Sequence, residues 1–308
     1  MVAVMEKGFS VPVLLNVFNR PNETEKVLSV LKTIRPRVLY IHCDGPRIGR
    51  DDDNENVNAV KNIIEEKVNW PCDVHKLFEP ENLGCGRGPA AAMSWFFKEV
   101  EEGIILEDDC CPNLDFFVYC QTLLEKYRDN DEIGIISGTN FSRVLNPEYS
   151  YRFSKYAGIW GWATWKRNWD LFEYDFDKPS FDFIKKVLPF LKSVKAFDYW
   201  FRILELIRKD GQNKTYWDYQ LHLCLMYAHK IHILPNYNLV SNIGFGENAT
   251  HTFDSDSRYA NRATETILPI SHPQKIFVDA KNDNKAYASI SWKGIIVRFV
   301  KRVLKNGK

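Results

Sequence analysis

No stretch of this 308-residue chain approaches the ~18 consecutive apolar residues that a membrane-spanning helix requires. Lys7 and Gly8 interrupt the short apolar start before a signal-peptide core can develop, so no secretory leader is expected. No CxxC or Cys/His spacing suggests zinc. The seven cysteines are odd in number, and Cys110 and Cys111 are neighbours whose direct bridge would be strained, so all seven read as reduced thiols. In a reducing compartment the Asn-x-Ser/Thr triplets at Asn22, Asn140, Asn213 and Asn248 carry no meaning. These absences predict a cytoplasmic protein, soluble or peripheral on the membrane face.

Several signatures of chemistry are missing too. No GxGxxG follows a strand-like run and no GxxxxGK[ST] occurs, so neither a dinucleotide site nor a P-loop is supported. The nucleophile elbow GxSxG is absent, which removes the common hydrolase reading. Forty-one basic residues face forty acidic ones, a net charge of +1, so no global field recruits nucleic acid and no such partner is expected. There is no internal repeat, low-complexity tract or Pro/Gly/Ser linker.

What is present is a regular rhythm over the first 140 residues. The apolar runs "VPVLLNVF" (11–18), "RVLYIHCDG" (37–45), "DVHKLFE" (73–79), "GIIL" (103–106) and "IGIISG" (133–138) read as strands. Between them, residues 22–34, 54–68, 88–102 and 114–128 carry helical spacing. Strand and helix in alternation predict an α/β fold with a mostly parallel sheet flanked by helices, and continuous apolar strands suit burial on both faces. Beyond residue 140 the rhythm breaks into an aromatic-rich stretch (149–176), helical segments near 181–209 and 217–229, and polar loops around 241–258. That part predicts an α+β half packed on the sheet. The expected division is 1–140, 141–285 and a basic amphipathic helix over 286–308.

The tail "SISWKGIIVRFVKRVLKNGK" repeats Trp292, Ile295, Ile296, Phe299, Val300, Val303 and Leu304 at helical spacing. Six cations accompany them, and no acid follows Asp283. Two readings fit: a helix lying on an anionic membrane surface through residues 290–308, or a terminal helix packed on the core with a solvated basic face.

The sharpest feature is "EEGIILEDDCCPNLDFF" (101–117), where a core-like strand ends in Glu107, Asp108 and Asp109. In open parallel sheets ligands bind outside the carboxyl ends of strands, where strand order reverses. Three adjacent carboxylates there would be relieved by a hard divalent cation, whose open positions phosphate oxygens can fill. The plainer alternative is an acidic loop before a helix capped by Asn113 or Asp115. "NLGCGRGPAAA" (82–92) opens a helix and carries Arg87, which suits an anionic ligand or a simple glycine turn.

Taken in order, "PVLLNVFNRPNET", "CDGPR", "NLGCGRG", "LEDD", "GIWGWATW" and "YWDYQ…SNIGFGENATH" resemble the metal-dependent GT-A glycosyltransferases over roughly residues 10 to 255. "EDDCCPNLDFF" is similar to the acidic triplet and Phe-Phe helix of N-acetylglucosaminyltransferase I, and the ordered set is closer to bacterial transferases that build lipopolysaccharide, capsule or other surface glycans. The resemblance implies a Rossmann-like GT-A fold and a nucleoside-diphosphate sugar donor, UDP-linked by preference. It also implies a glycan or lipid-linked acceptor. Asp109 would ligate Mn²⁺ or Mg²⁺, with Glu107 and Asp108 facing the ribose and the metal shell. Arg20 would border the nucleotide pocket. Asp44 would recognise the base, although "DG" alone is also a plain turn. His251 matches a C-terminal loop residue that touches metal or diphosphate. Trp160, Trp162 and Trp165 could form a wall against a sugar ring, with Gly158 and Gly161 admitting close backbone approach; Trp162, Trp165 and Trp169 also sit at helical spacing and read as core, so a split is expected, with Trp160 nearer the site and Trp165 and Trp169 packed inside. Inverting transfer needs a base for the acceptor hydroxyl, and Asp218 in "TYWDYQ" matches it; Thr215-x-x-Asp218 also reads as a capping box. The other readings are a sugar nucleotidyltransferase, disfavoured by the lack of a Gly-rich N-terminal loop with Arg and Lys, and a catalytically silent nucleotide-sugar binding subunit.

Overall fold

The structure, a computed structural model, describes residues 9–141, 147–209, 216–245, 257 and 259–298, with the backbone alone at Lys281. His251 and Thr215 therefore lie outside the described residues, as does the tail beyond Arg298.

The chain runs β1 (Val13–Val17), α1 (Pro21–Ile34), β2 (Val38–Cys43), α2 (Asp51–Lys67), β3 (Asp73–Phe78), α3 (Gly84–Glu99), β4 (Glu102–Glu107), β5 (Cys110–Pro112), α4 (Leu114–Lys126) and β6 (Ile133–Ser137). It continues with β7 (Tyr151–Ser154), β8 (Trp162–Trp165), α5 (Lys166–Trp169), α6 (Ser180–Leu191), α7 (Val194–Lys209), α8 (Trp217–Tyr227), β9 (Ile231–Pro235), β10 (Val240–Asn242) and α9 (Ala280–Asp283). Local chemistry explains the early elements. Every residue of β1 is buried, as a strand covered on both faces must be. Pro21 supplies the preset φ of a first helical turn, and α1 buries Val27, Leu28, Leu31 and Ile34 on one stripe.

Eight strands form one sheet in the order β3-β2-β1-β4-β8-β6-β9-β7. β3, β2, β1 and β4 pair in parallel, and β6 pairs in parallel with β9. β8 lies antiparallel between β4 and β6, and β7 antiparallel on β9. The mostly parallel α/β sheet flanked by helices is as the sequence predicted. The second half packs on the sheet through α8, as expected, while its strands β7, β8 and β9 extend the sheet itself. "WATW" is only four residues long, and its tryptophan spacing mimics a helix.

Alternation of side chains divides the core. Val13, Leu15 and Val17 face one cluster with α1, α2 and α4; Leu14, Tyr40 and Ile105 face another with Met93, Phe96 and Phe97 of α3 and Trp217, Leu221 and Leu225 of α8. A third cluster joins α6, α7 and α8. Each fully buried aliphatic or aromatic side chain contributes about 1.5–3 kcal/mol. This packing fixes the carboxyl ends of β1, β2 and β4 beside the N-termini of α3 and α8. Because β1 leads to β2 on one side and lies against β4 on the other, strand order reverses at the β1/β4 junction. A crevice for ligands opens at such a junction.

Candidate functional site

The acidic triplet stands at that junction. Glu107 ends β4 opposite Asn16 of β1. Asp108 and Asp109 turn the chain into the short β5, whose Cys110 pairs with Asn242 of β10. Asn113 caps α4 by accepting the Phe116 amide at 3.0 Å, and Asp115 accepts from Thr266 and Ile267. Asn113 thus caps the helix as the plainer alternative expected, and the triplet itself takes no part in that cap.

Arg20, at the entry to α1, reaches across the crevice. Its guanidinium donates to Asp109 Oδ2 at 2.8 Å and to Asp108 Oδ1 at 3.4 Å. The Phe18 amide donates to the other Asp108 oxygen at 3.2 Å. One cation thus faces three carboxylates. Glu107 has no hydrogen-bond or ion-pair partner among the described residues, and burial, then the charges of Asp109, Asp108 and Asp218, push its carboxyl well above the usual range. Burial lifts Asp108 to about 7, against the opposing pull of Arg20. Uncompensated charge of this kind is what a bound cation relieves.

The donor set fits one. Ligand atoms of Glu107, Asp109 and Cys110 lie within 4.8 Å of one another. Cys110 donates its thiol hydrogen to Asp109 Oδ1 at 3.4 Å, and burial pushes that thiol well above its ordinary range. The set is two carboxylates and one sulfur, and its oxygens suit a hard cation such as Mg²⁺ or Mn²⁺. Gly244 covers the ion pair: a Cβ there would stand 2.3 Å from Asp109 Oδ2 and 2.8 Å from the Arg20 guanidinium.

Asp44 takes a different place from the one the resemblance implies. One carboxylate oxygen accepts from the amides of Gly45 (2.9 Å) and Leu83 (2.8 Å), the other from Gly84 N (3.0 Å) and Asn82 Nδ2 (3.1 Å). Its lone pairs are filled from within the chain, which leaves no free acceptor for a base. Asp44 instead acts as a remote cap for α3, which has no side-chain cap of its own at Leu83. That cap explains why α3 begins at Gly84 and not at residue 88. Arg87 lies exposed in the first turn of α3, its guanidinium 5.1 Å from the Tyr174 ring centre.

Asp218 joins the site. It lies in the first turn of α8, half-buried, and its charge acts on both Glu107 and Cys85 in the first turn of α3. The capping-box reading involves Thr215, outside the described residues. Asn16 and His42, paired with Glu107 in register across β4, β1 and β2, are buried beside it. The Asn16 amide and His42 Nε2 have no hydrogen-bond partner among the described residues, and burial lowers His42 to about 4, keeping it neutral.

The aromatic wall is corrected in membership. Trp162 is 1% exposed, pairs with Ile105 in the sheet and stacks on Trp217 with centroids 6.1 Å apart, so it belongs to the core. Trp165 and Trp169 are packed inside, as expected. Gly161, at φ +64°, admits a close approach of Val240, and a Cβ would stand 2.8 Å from Val240 Cγ2. The approach is by strand β10, not by a ligand. Trp160 is half-buried and meets Phe141 and Phe245 edge-on at 5.0 and 5.7 Å, while Phe141 also meets Tyr259 at 5.5 Å. Phe245 adjoins Gly244, so this four-ring group borders the acidic cluster. Sequence reasoning missed Phe141, Phe245 and Tyr259 because nothing local links them; "SNIGFG" was the one signal.

No family model and no curated protein matches the chain. Several solved structures are similar over part of it. HddC from Yersinia pseudotuberculosis shares 14% identity, with 57% of this chain and 86% of that chain covered at a TM-score of 0.35. An apo-UDP-glucose pyrophosphorylase shares 9% identity over 75% of this chain and 93% of its own, at 0.36. The inositol-1-phosphate CTP transferase from T. maritima shares 13% over 55% and 76%, at 0.31. Likeness of this size assigns no activity.

Proposed function

We propose that this chain is a metal-dependent, inverting glycosyltransferase of GT-A type that moves a sugar from a nucleoside-diphosphate sugar, UDP-linked by preference, to an acceptor hydroxyl. The observation that carries this reading is the unbalanced Glu107-Asp108-Asp109 cluster at the β1/β4 reversal, with the Asp218 carboxylate within electrostatic reach. A divalent cation held by Asp109 and Glu107 would neutralise charge on the departing diphosphate. Arg20 supplies a guanidinium for the same phosphates. Asp218 takes the proton of the acceptor hydroxyl as its oxygen bonds to the anomeric carbon from the far side. The bond from that carbon to the diphosphate breaks, and a nucleoside diphosphate leaves. Trp160 and the rings around it offer a flat apolar border for a sugar face. A glycan or lipid-linked acceptor in bacterial surface-polysaccharide assembly follows from the sequence resemblance.

The second reading is nucleotidyl transfer to a sugar phosphate, the kind of reaction that the name of the UDP-glucose pyrophosphorylase denotes. Against it stands the β1–α1 connection, Phe18-Asn19-Arg20, which has no glycine to wrap a triphosphate. Product analysis with Mn²⁺ and a panel of nucleotide sugars and acceptors tests the proposal. Release of nucleoside diphosphate with a new glycoside supports it. Pyrophosphate release from nucleoside triphosphate and sugar phosphate assigns the second reading, and binding without turnover across the panel assigns a silent subunit.

A further inference from the structure

Seven of the eleven exposed large apolar side chains among the described residues fall in two segments, Phe181, Ile184, Val194 and Leu206 in α6–α7 and Trp292, Ile296 and Val297 near the C-terminus. The other four are scattered along the chain, so this helical layer concentrates the unburied apolar surface. Residues 292–298 are helical. Arg298 clamps this helix to α7 through a bidentate pair with the buried Asp198, at 3.0 and 2.5 Å. Lys195 donates to the Ala288 carbonyl at 2.7 Å and sits 5.7 Å from the Trp292 ring centre. With Ile295 and Arg298 turned to the protein, Trp292 and Ile296, one turn apart, are left 56% and 61% exposed. No helix among the described residues is long and apolar enough to cross a membrane.

We propose that this helix and the neighbouring start of α7 form a docking surface for an anionic lipid bilayer, lying in the interface plane and not crossing it. Charge decides between occupants. Lys195, 5.7 Å from the Trp292 ring centre, and the exposed Lys293 flank the apolar residues, and the buried Asp198 is engaged by Arg298 and Arg202. A second copy of the chain would bring these lysines face to face, which like charge opposes. An anionic headgroup layer attracts each of them, while Trp292 and Ile296 enter the headgroup boundary, where tryptophan is favoured. The sequence extends the same stripe with Phe299, Val300 and Val303 and adds Lys301, Arg302, Lys305 and Lys308. The proposal is independent of the chemistry assigned to the acidic cluster.

The test is cosedimentation of the full chain with phosphatidylcholine vesicles, with and without phosphatidylglycerol, at low and high salt. Binding that requires phosphatidylglycerol and weakens with salt is expected. Trp292→Glu with Ile296→Glu should reduce partitioning by about tenfold or more, and Lys293→Glu by about fivefold. All three positions are solvent-exposed, so melting temperature should stay near the wild-type value. Absence of binding to anionic vesicles, or binding unchanged in the double variant, overturns the proposal. So does a concentration-dependent dimer in sedimentation velocity that the double variant abolishes, which would assign the surface to a second copy.

Discussion

The Arg20 guanidinium stands 2.8 Å from Asp109 Oδ2, with Gly244 closing over the pair. This contact joins the end of β1 to the end of β4 across the reversal of strand order. Among the described residues Arg20 is the positive charge paired with the three-carboxylate cluster, and a side chain at position 244 would collide with it.

Gly244→Ala should therefore disturb the site while leaving the fold standing. A Cβ 2.3 Å from Asp109 Oδ2 forces that carboxylate, or the segment that carries Gly244, to move. Misplacement of about 1 Å costs on the order of a hundredfold in turnover. Steady-state kinetics should show that loss, isothermal titration should show weaker Mn²⁺ binding, and far-UV circular dichroism should not change.

Glu107→Gln tests the charge imbalance through pH. Glu107 titrates above its unfolded value, and Asp108 does so at about 7. Between about pH 4 and 7 the native state then holds protons that the unfolded chain has lost, so this contribution to stability is full at low pH and is lost as pH rises. Glutamine removes the Glu107 share. The metal-free variant should match wild type near pH 4 and melt a few degrees higher at pH 8. Glutamine also relieves the like-charge repulsion within the triplet, so the difference reports the coupled acidic cluster as a whole. A difference that shrinks as pH rises would contradict the assignment.

Asp218→Asn should lower kcat by about 10²–10⁴ while leaving donor and Mn²⁺ binding unchanged. Proton nuclear magnetic resonance of the wild-type product should show an inverted anomeric centre. Retention would remove Asp218 from the role of base.

Trp160→Ala should raise the acceptor KM with little change in kcat, as loss of a uniform binding surface does. The half-buried ring touches Phe141 and Phe245, so the melting temperature should fall by no more than a few degrees.

The first four strands and their helices were legible because periods of two and 3.6 residues differ plainly there. The acidic end of β4 was legible for a related reason, since an apolar run stopping at three carboxylates is visible without any partner. What escaped reading depends on distant neighbours. Cys110–Pro112 and Trp162–Trp165 are too short to show a period, and only pairing with β10 and β4 makes them strands. Trp162 reads as exposed or buried with equal ease until Ile105 and Trp217 flank it. Asp44 reads as a turn residue until the amides of Leu83 and Gly84, about forty positions later, fill its carboxylate. The rings at positions 141, 160, 245 and 259 meet only in three dimensions.

The central claim is that Asp109 holds a cation that in turn holds a diphosphate. Thermal unfolding with UDP, with Mn²⁺ and with both, for wild type and Asp109→Ala, tests it most directly, because a ligand bound only to the native state raises its melting temperature. The account predicts a rise of several degrees for wild type that needs both ligands together, and none for the variant. An equal rise in Asp109→Ala, or no wild-type response to any nucleoside diphosphate with Mn²⁺, would contradict it.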